Sequence, residues 1–158
     1  LPKKIKQNER SVAEILAANM RKMIISERPN NPAYFDKMSD LLNHLLQEQK
    51  DGKIQYKELI KKLIEKLKEA RSTIKTKYPA TIDTKGKQAL YDNLGKDEIL
   101  ALRVHETIKA NARDGFRDMD SSGLKKMKAL RRAVERVLQG VEVNIDDIMQ
   151  LIVAQREY

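Results

Sequence analysis

Apolar residues recur at spacings of three and four along the first half of the chain, the pattern of helices that bury one face. One stripe runs over residues 9–26, after a polar, basic start at 1–8 that we expect to be frayed. A second begins with Pro32 at the first helical position and stops at Asp51-Gly52. A third covers residues 54–77 and predicts a helix about 36 Å long. The apolar positions of the first stripe are Val12, Ile15, Leu16, Met20, Met23 and Ile24.

The second half of the chain is organised around the stretch 78–102, where helix start and stop signals lie close together. Pro79 ends the long helix before it, because the residue preceding a proline is pushed out of helical geometry. Asp83 or Thr84 offers an N-cap for a short helix, and Gly95 follows where a left-handed residue suits a helix end. We therefore expect a compact helical turn region here.

Three more helices are expected after this stretch. They cover about 97–111, 124–139 and the residues following Asn144, with a turn-rich loop at 118–123. No segment alternates between apolar and polar residues as a half-buried strand would. The pattern predicts an all-α fold of about six or seven helices with a long antiparallel helical hairpin, joined by a short connection between the second and third helices.

A composition shift at Tyr78-Pro79 suggests a division of the chain into two parts. Residues 1–78 would form an N-terminal helix plus the hairpin, and residues 79–158 a C-terminal helical subdomain. One continuous domain is the alternative, because 158 residues are enough for a single hydrophobic core.

Composition narrows the functional classes. The chain has no cysteine, which excludes disulfides and thiolate metal sites, and only two histidines, His44 and His105, on separate predicted helices. Aromatic residues make up 4%, too few for a surface that stacks single-stranded bases. No apolar run approaches the roughly 20 residues of a membrane span, so no membrane partner is expected.

Positive charge is concentrated in two places. The formal net charge is +9, and residues 53–77 hold nine Lys or Arg against three Glu. Residues 124–136 hold six against Glu135. Such faces either neutralise nucleic-acid phosphates or simply keep a helix solvated, and the sequence leaves both possibilities open. The candidate basic contacts are Lys125, Lys126, Arg131, Arg132 and Arg136.

The catalytic motifs that we sought are missing from the sequence. Gly86-Lys87 is followed by Gln88 and lacks the upstream glycine of a phosphate-binding loop. Asp97-Glu98 is better interpreted as a helix start than as a helicase acidic box. Glu48-Gln49-Lys50, with Asp40 upstream, matches half of a nuclease motif. Both acids lie in a predicted helix, whereas the acids of that motif usually converge on a metal from strands. We expect no catalytic residue, metal or cofactor in this chain.

Several short motifs nevertheless form a specific pattern, and it covers the chain from about residue 11 to the end. Their order and spacing resemble the C-terminal helical region of the R subunits of type I restriction enzymes. The motifs are Asn31 to Leu42, Tyr78-Pro79, Ile82-Asp83-Thr84, Leu90-Tyr91-Asp92-Asn93-Leu94-Gly95 and Gln155-Arg156-Glu157-Tyr158.

The resemblance implies a parent protein that is an ATP-dependent type I site-specific deoxyribonuclease, a DNA translocase with an attached nuclease. Its ATP and Mg would be used outside this chain, which opens without an initiating Met and is expected to be a fragment. The implied role is docking the motor subunit onto the methyltransferase and specificity core, in a prokaryotic cytoplasm. The implied partners are the methyltransferase (M) subunit and the rest of the R subunit. The alternative is a basic module that contacts duplex DNA non-specifically near the motor.

The resemblance also marks candidate interaction residues. Their side chains either present a polar recognition surface or pack locally, and we favour packing around Tyr91 with Gly95 as a helix end. Phe116 stands where the family commonly has a tryptophan, which weakens the correspondence there. The candidates are Tyr91, Asp92, Asn93, Gly95, Phe116, Arg117 and Tyr158.

Overall fold

The computed structural model describes residues 3–72 and 77–158. These residues contain seven α-helices and no strand, so the predicted all-α fold is confirmed. A short 3-10 helix follows the first helix. The bounds are α1 Lys3–Glu27, 3-10 Arg28–Asn30, α2 Pro32–Lys50, α3 Tyr56–Arg71, α4 Lys85–Asn93, α5 Glu98–Asn111, α6 Ser121–Val137 and α7 Ile145–Ala154.

The chain divides into two compact units. The first contains the described residues of 3–28 and 33–72, and the second contains 29–32 together with 77–158. The break along the chain lies close to the subdomain boundary expected at Tyr78-Pro79. The four residues between α1 and α2 nevertheless belong with the second unit, which no pattern in the sequence suggested.

In the first unit, α3 packs mainly along α1, and α2 contributes to the same core. Two features of α1 differ from the prediction. The helix begins at Lys3 instead of near residue 9, and Val12 and Ile15 point outward while Ala13 and Ala17 are buried. Small side chains at the contact allow two helix backbones to approach closely, and the buried positions keep the spacing of one helical face. The buried residues of α1 are Ala13, Ala17, Met20 and Ile24.

The main contact of α3 is with α1 and not with α2, so the expected antiparallel hairpin of α2 and α3 is not the main packing of this unit, and α3 is shorter than expected. After α2, the chain turns at Gly52, which has a φ of 74°. The described part of α3 then ends at Arg71, because Ser72 adopts an extended backbone. Serine and threonine are weaker helix formers than the lysines and leucines before them. The resulting 16-residue helix is about 24 Å long instead of 36 Å. The expected helical residues 73–76 lie outside the described residues.

In the second unit, α5 packs against both α4 and α6, and α4 also contacts α7. Predicted caps are present at Thr84, Asp97 and Asn144, each accepting a hydrogen bond from a backbone N–H three residues on. The start of α6 was predicted three residues too late. Asp120 caps this helix by accepting a 2.7 Å bond from the Gly123 N–H, which places Ser121 at its first position.

The end of α4 has the form predicted for it. Gly95 has a φ of 72°, and the N–H of Lys96 donates to the carbonyl of Tyr91 at 2.9 Å. This bond from the second residue past the cap back to the last helical turn defines a Schellman motif. A side chain with a Cβ is strained at such a φ, so the glycine sets where α4 stops.

Leu63 tests the core of the first unit. It is fully buried on α3 at 0% exposure, whereas its neighbour Ile64 is 37% exposed. We expect Leu63→Asp to lower the free energy of unfolding by about 3 kcal/mol or more, because it buries an unpaired carboxylate. Ile64→Asp makes a similar change at the surface and should cost about 1 kcal/mol or less. Urea unfolding followed by circular dichroism measures both, and equal losses would contradict this helix orientation.

Candidate interaction surfaces

The polar residues of the Leu90–Gly95 motif bond within the second unit. The Asp92 carboxylate accepts hydrogen bonds from the Tyr78 hydroxyl and from the Asn31 side-chain amide, the latter at 2.8 Å. The Asn93 amide donates to the Asn31 side-chain oxygen at 2.8 Å and to the Ala89 carbonyl at 2.7 Å. These bonds join α4 to the segment 29–32. The side chains of Asp92 and Asn93 are therefore used for internal connections, as the packing interpretation expects.

Tyr91 also contributes to packing. Its ring meets that of Tyr78 edge to face, with centroids 5.6 Å apart and planes at 71°. Aromatic pairs favour this arrangement because a positive ring edge meets a negative ring face. Gly95 is exposed, and no heavy atom lies within 4 Å of the position a Cβ would take. Its role is therefore conformational.

Arg117 holds the end of α7. Its guanidinium donates to the carbonyls of Val153 at 3.0 Å, Gln155 at 2.8 Å and Tyr158 at 3.0 Å. The last carbonyls of a helix have no partner within it, and the fork of an arginine can serve several at once. The guanidinium also lies 4.2 Å from the ring centroid of the buried Phe116. Phe116 thus fills the core while Arg117 fastens the chain that follows α7.

Glu157 binds the N-terminal end of α4. Its carboxylate accepts a 2.5 Å hydrogen bond from the Gly86 N–H in the first turn of α4. A negative group is favoured there by the unpaired N–H groups and the helix dipole. A Cβ on Gly86 would lie 2.2 Å from the Glu157 carboxylate oxygen, so only glycine leaves room for this approach. The sequence indicated nothing of this contact, because Gly86 was considered only as part of a phosphate-binding loop.

Tyr158 and His105 form a buried polar pair. The tyrosine hydroxyl lies 2.5 Å from His105 Nδ1. Burial lowers the pKa of His105, while the nearby Glu157 carboxylate acts in the opposite direction. Burial likewise raises the pKa of the Tyr158 hydroxyl. The unprotonated Nδ1 of a neutral imidazole can accept a hydrogen bond from the Tyr158 hydroxyl, and burial favours the uncharged form of both groups.

Each histidine has a polar side-chain partner within its own unit. His44 lies on α2 with its Nε2 2.8 Å from the Glu48 carboxylate, in the first unit, while His105 is in the second. Within residues 3–72 and 77–158, no group of three or more histidine or acidic side chains could hold a metal ion.

The six cations of α6 separate into two sets. Lys126 donates to the Asp114 carbonyl at 2.6 Å, and Arg131 bonds the carboxylates of Glu135 at 2.8 Å and Asp146 at 2.6 Å. These two candidates therefore serve the fold. The other four are exposed, and no side chain in the described part of the chain pairs with them. We call this set the α6 cation stripe: Lys125, Lys128, Arg132 and Arg136.

The outer face of α1 carries four exposed aliphatic side chains. Ile5 and Val12 are each 44% exposed, Ile15 is 61% exposed and Ile25 is 77% exposed. On a helix of 3.6 residues per turn, Ile5, Val12 and Ile15 fall within an arc of about 80°, whereas Ile25 lies about 80° beyond Ile15. We call Ile5, Val12 and Ile15 the α1 apolar stripe. An aliphatic stripe left in water is typical of a surface that another helix covers.

Comparison with protein-family models, curated proteins and solved structures found no match to this chain. In the described part of the chain, none of the helices combines the length and the apolar character that crossing a bilayer requires.

Arg117 offers a test of how the end of the chain is fastened. We expect Arg117→Ala to lower the free energy of unfolding by about 2 kcal/mol, because three carbonyls lose a charged donor. Arg117→Lys should recover only part of this loss, since an ammonium lacks the planar fork. The control is Arg113→Ala, an exposed arginine without a side-chain partner in the described residues. Equal unfolding midpoints for the two alanine variants would show that the three Arg117 hydrogen bonds add no stability.

His105 predicts a pH dependence. The ordinary pKa of His105 is 6.5, and its pKa in the folded protein is lower. As the pH falls through this range, the unfolded chain therefore binds a proton at His105 before the folded chain does. The free energy of unfolding should therefore decrease as the pH falls from about 7.5 to about 5. His105→Gln removes the titrating ring and should flatten this dependence relative to the wild type. Urea unfolding at both pH values measures it, and parallel curves for the two proteins would contradict the prediction.

Proposed function

We propose that this chain is the C-terminal helical part of a type I restriction enzyme R subunit, and that it docks this motor and nuclease subunit onto the methyltransferase and specificity core. The motif resemblance supports the assignment. So do the contacts that motif residues make, because Asp92, Asn93 and Glu157 all form hydrogen bonds that connect distant parts of the second unit. Residues with such roles are expected to recur wherever this unit is used.

In this proposal the chain binds and does not catalyse. The ATP and Mg of the parent deoxyribonuclease would act in the rest of the R subunit, which is the covalent partner of this chain. Groups considered as catalytic or ligand-binding candidates form hydrogen bonds within the protein, as the Gly86 N–H does with Glu157 and His105 does with Tyr158. The setting would be the cytoplasm of a prokaryote, where the methyltransferase subunit is the principal partner.

The observation that carries the docking role is the α1 apolar stripe. Its three side chains, Ile5, Val12 and Ile15, extend over about 15 Å of α1 and are not covered by the core of the first unit. Full burial of an isoleucine side chain contributes about 1.5–3 kcal/mol, so covering this stripe would supply much of the free energy of a stable association. Lys4 and Lys22 border it and are exposed, which favours a partner with acidic groups at the rim.

The docking role is tested by capturing the methyltransferase subunit of the same system on this chain. We expect capture by the wild-type chain and loss with Val12→Asp combined with Ile15→Asp, because two carboxylates would be buried at the interface. The control is Ile99→Asp, a similar change at an isoleucine that is 73% exposed on α5 of the second unit. It should leave capture intact.

Salt sharpens this experiment. Association through an apolar face should persist at moderate ionic strength, since only the charged rim is screened. The docking proposal fails if the wild-type chain does not capture the methyltransferase subunit. It also fails if the α1 double variant, melting at its normal temperature, captures it as well as the control does.

A further inference from the structure

We infer that the α6 cation stripe is a second binding site, one that holds the phosphate backbone of duplex nucleic acid without reading its sequence. This goes beyond docking, since it uses another unit, another helix and another kind of partner. The site consists of Lys125, Lys128, Arg132 and Arg136, all exposed on α6.

The four cations form one row. Their spacings of three, four and four residues place them within an arc of about 80° on the helix, over an axial length of about 16 Å. One strand of duplex DNA presents a phosphate about every 3.4 Å along the axis. The row is therefore long enough to face about five phosphates of a single strand. Lysine and arginine stems are flexible enough to follow the curvature of the backbone.

Among the described residues, no acidic side chain forms an ion pair with a cation of the stripe, although Glu135 lies beside it. The only glutamate on α6, Glu135, is bonded to Arg131, and Arg131 also binds Asp146. The carboxylates of Glu135 and Asp146 are thus both paired with Arg131. The four remaining cations keep their full charge for a ligand in solution, which is the arrangement that releases counterions when phosphates bind.

The other basic helix differs in this respect. On α3, Lys62 lies 3.5 Å from Glu58 and Lys66 lies 2.9 Å from Glu69. Its exposed lysines include Lys61 and Lys68, but the exposed Ile64 lies between them on the same face. The basic segments 53–77 and 124–136 carry similar net charges of +6 and +5, and the continuity of the exposed cation row is what distinguishes them.

The chemistry of the stripe favours a duplex over two other polyanions. Its arc on α6 contains no apolar side chain, while the cores of protein interfaces are depleted in lysine and need apolar contact. No aromatic residue lies anywhere on α6, so unpaired bases would find no ring to stack on. Lysine and arginine contacts to phosphates suffice for binding a duplex backbone.

The experiment measures binding of a fluorescent 30-base-pair DNA of arbitrary sequence by the whole chain at several KCl concentrations. Four phosphate contacts predict a slope of log K against log[salt] of about −3.6. Replacing both arginines, Arg132→Gln with Arg136→Gln, should reduce the slope to about −1.8 and weaken binding more than tenfold at low salt. Both side chains are exposed, so the melting temperature should stay unchanged.

The matched control removes the same charge from the other basic helix. Lys61→Gln with Lys68→Gln should leave both the slope and the affinity close to wild type. A duplex RNA of equal length should bind with a similar slope if phosphates alone are read, and a single-stranded DNA should bind more weakly.

Three results would overturn the inference. The first is wild-type binding with a slope shallower than about −1, which is too few phosphate contacts for the row. The second is an equal loss in the α3 and α6 variants, which would assign binding to net charge. The third is loss of methyltransferase capture by the α6 variant with DNA binding unchanged, which would assign the row to an acidic protein surface.

Discussion

Short helices expose a large fraction of their backbone polar groups, and the second unit depends on how these groups are paired. Helices α4 and α7 have nine and ten residues. Since the first four N–H and the last four C=O groups of any helix have no partner within it, nearly half of each kind is left unpaired in helices this short. Glu157 accepts from the start of α4, and Arg117 donates to the carbonyls at and beyond the end of α7. The segment after α7 thus supplies the Glu157 carboxylate that accepts a hydrogen bond from α4. Together with the end of α7, it also offers the carbonyls to which Arg117 donates.

Local signals in the sequence were sufficient for much of this architecture. The caps at Thr84, Asp97 and Asn144 and the left-handed Gly95 depend on atoms within a few residues, so their patterns could be recognised directly. Contacts such as Arg117 to Tyr158 depend on which distant segments meet, and no periodic pattern contains that information. The inward face of α1 was misjudged for a related reason. Two alanines are buried there because a neighbouring helix comes close, while larger aliphatics were expected to be inside.

The candidate surfaces were predictable only in part. A basic segment at residues 124–136 was visible in the sequence, but which cations face solvent depended on the positions of Asp114 and Asp146. Two of the five candidate basic contacts, Lys126 and Arg131, turned out to hold the fold, and Lys128 joined the exposed row. Charge counting finds a basic region, whereas the pairing of each charge decides what that region can bind.

The inclusion of residues 29–32 in the second unit has a consequence for how the chain folds. Asn31 and Asp92 are separated by 61 positions, and Asn30 and Gln155 by 125. Bringing such distant residues together in a disordered chain costs loop-closure entropy, and contacts of this kind slow folding. Most of the chain between Asn31 and Asp92 belongs to the first unit. When that unit folds, a long disordered loop between the two residues becomes a compact one. We therefore expect the first unit to form early, and the Asn31 bonds to Asp92 and Asn93 to be made late.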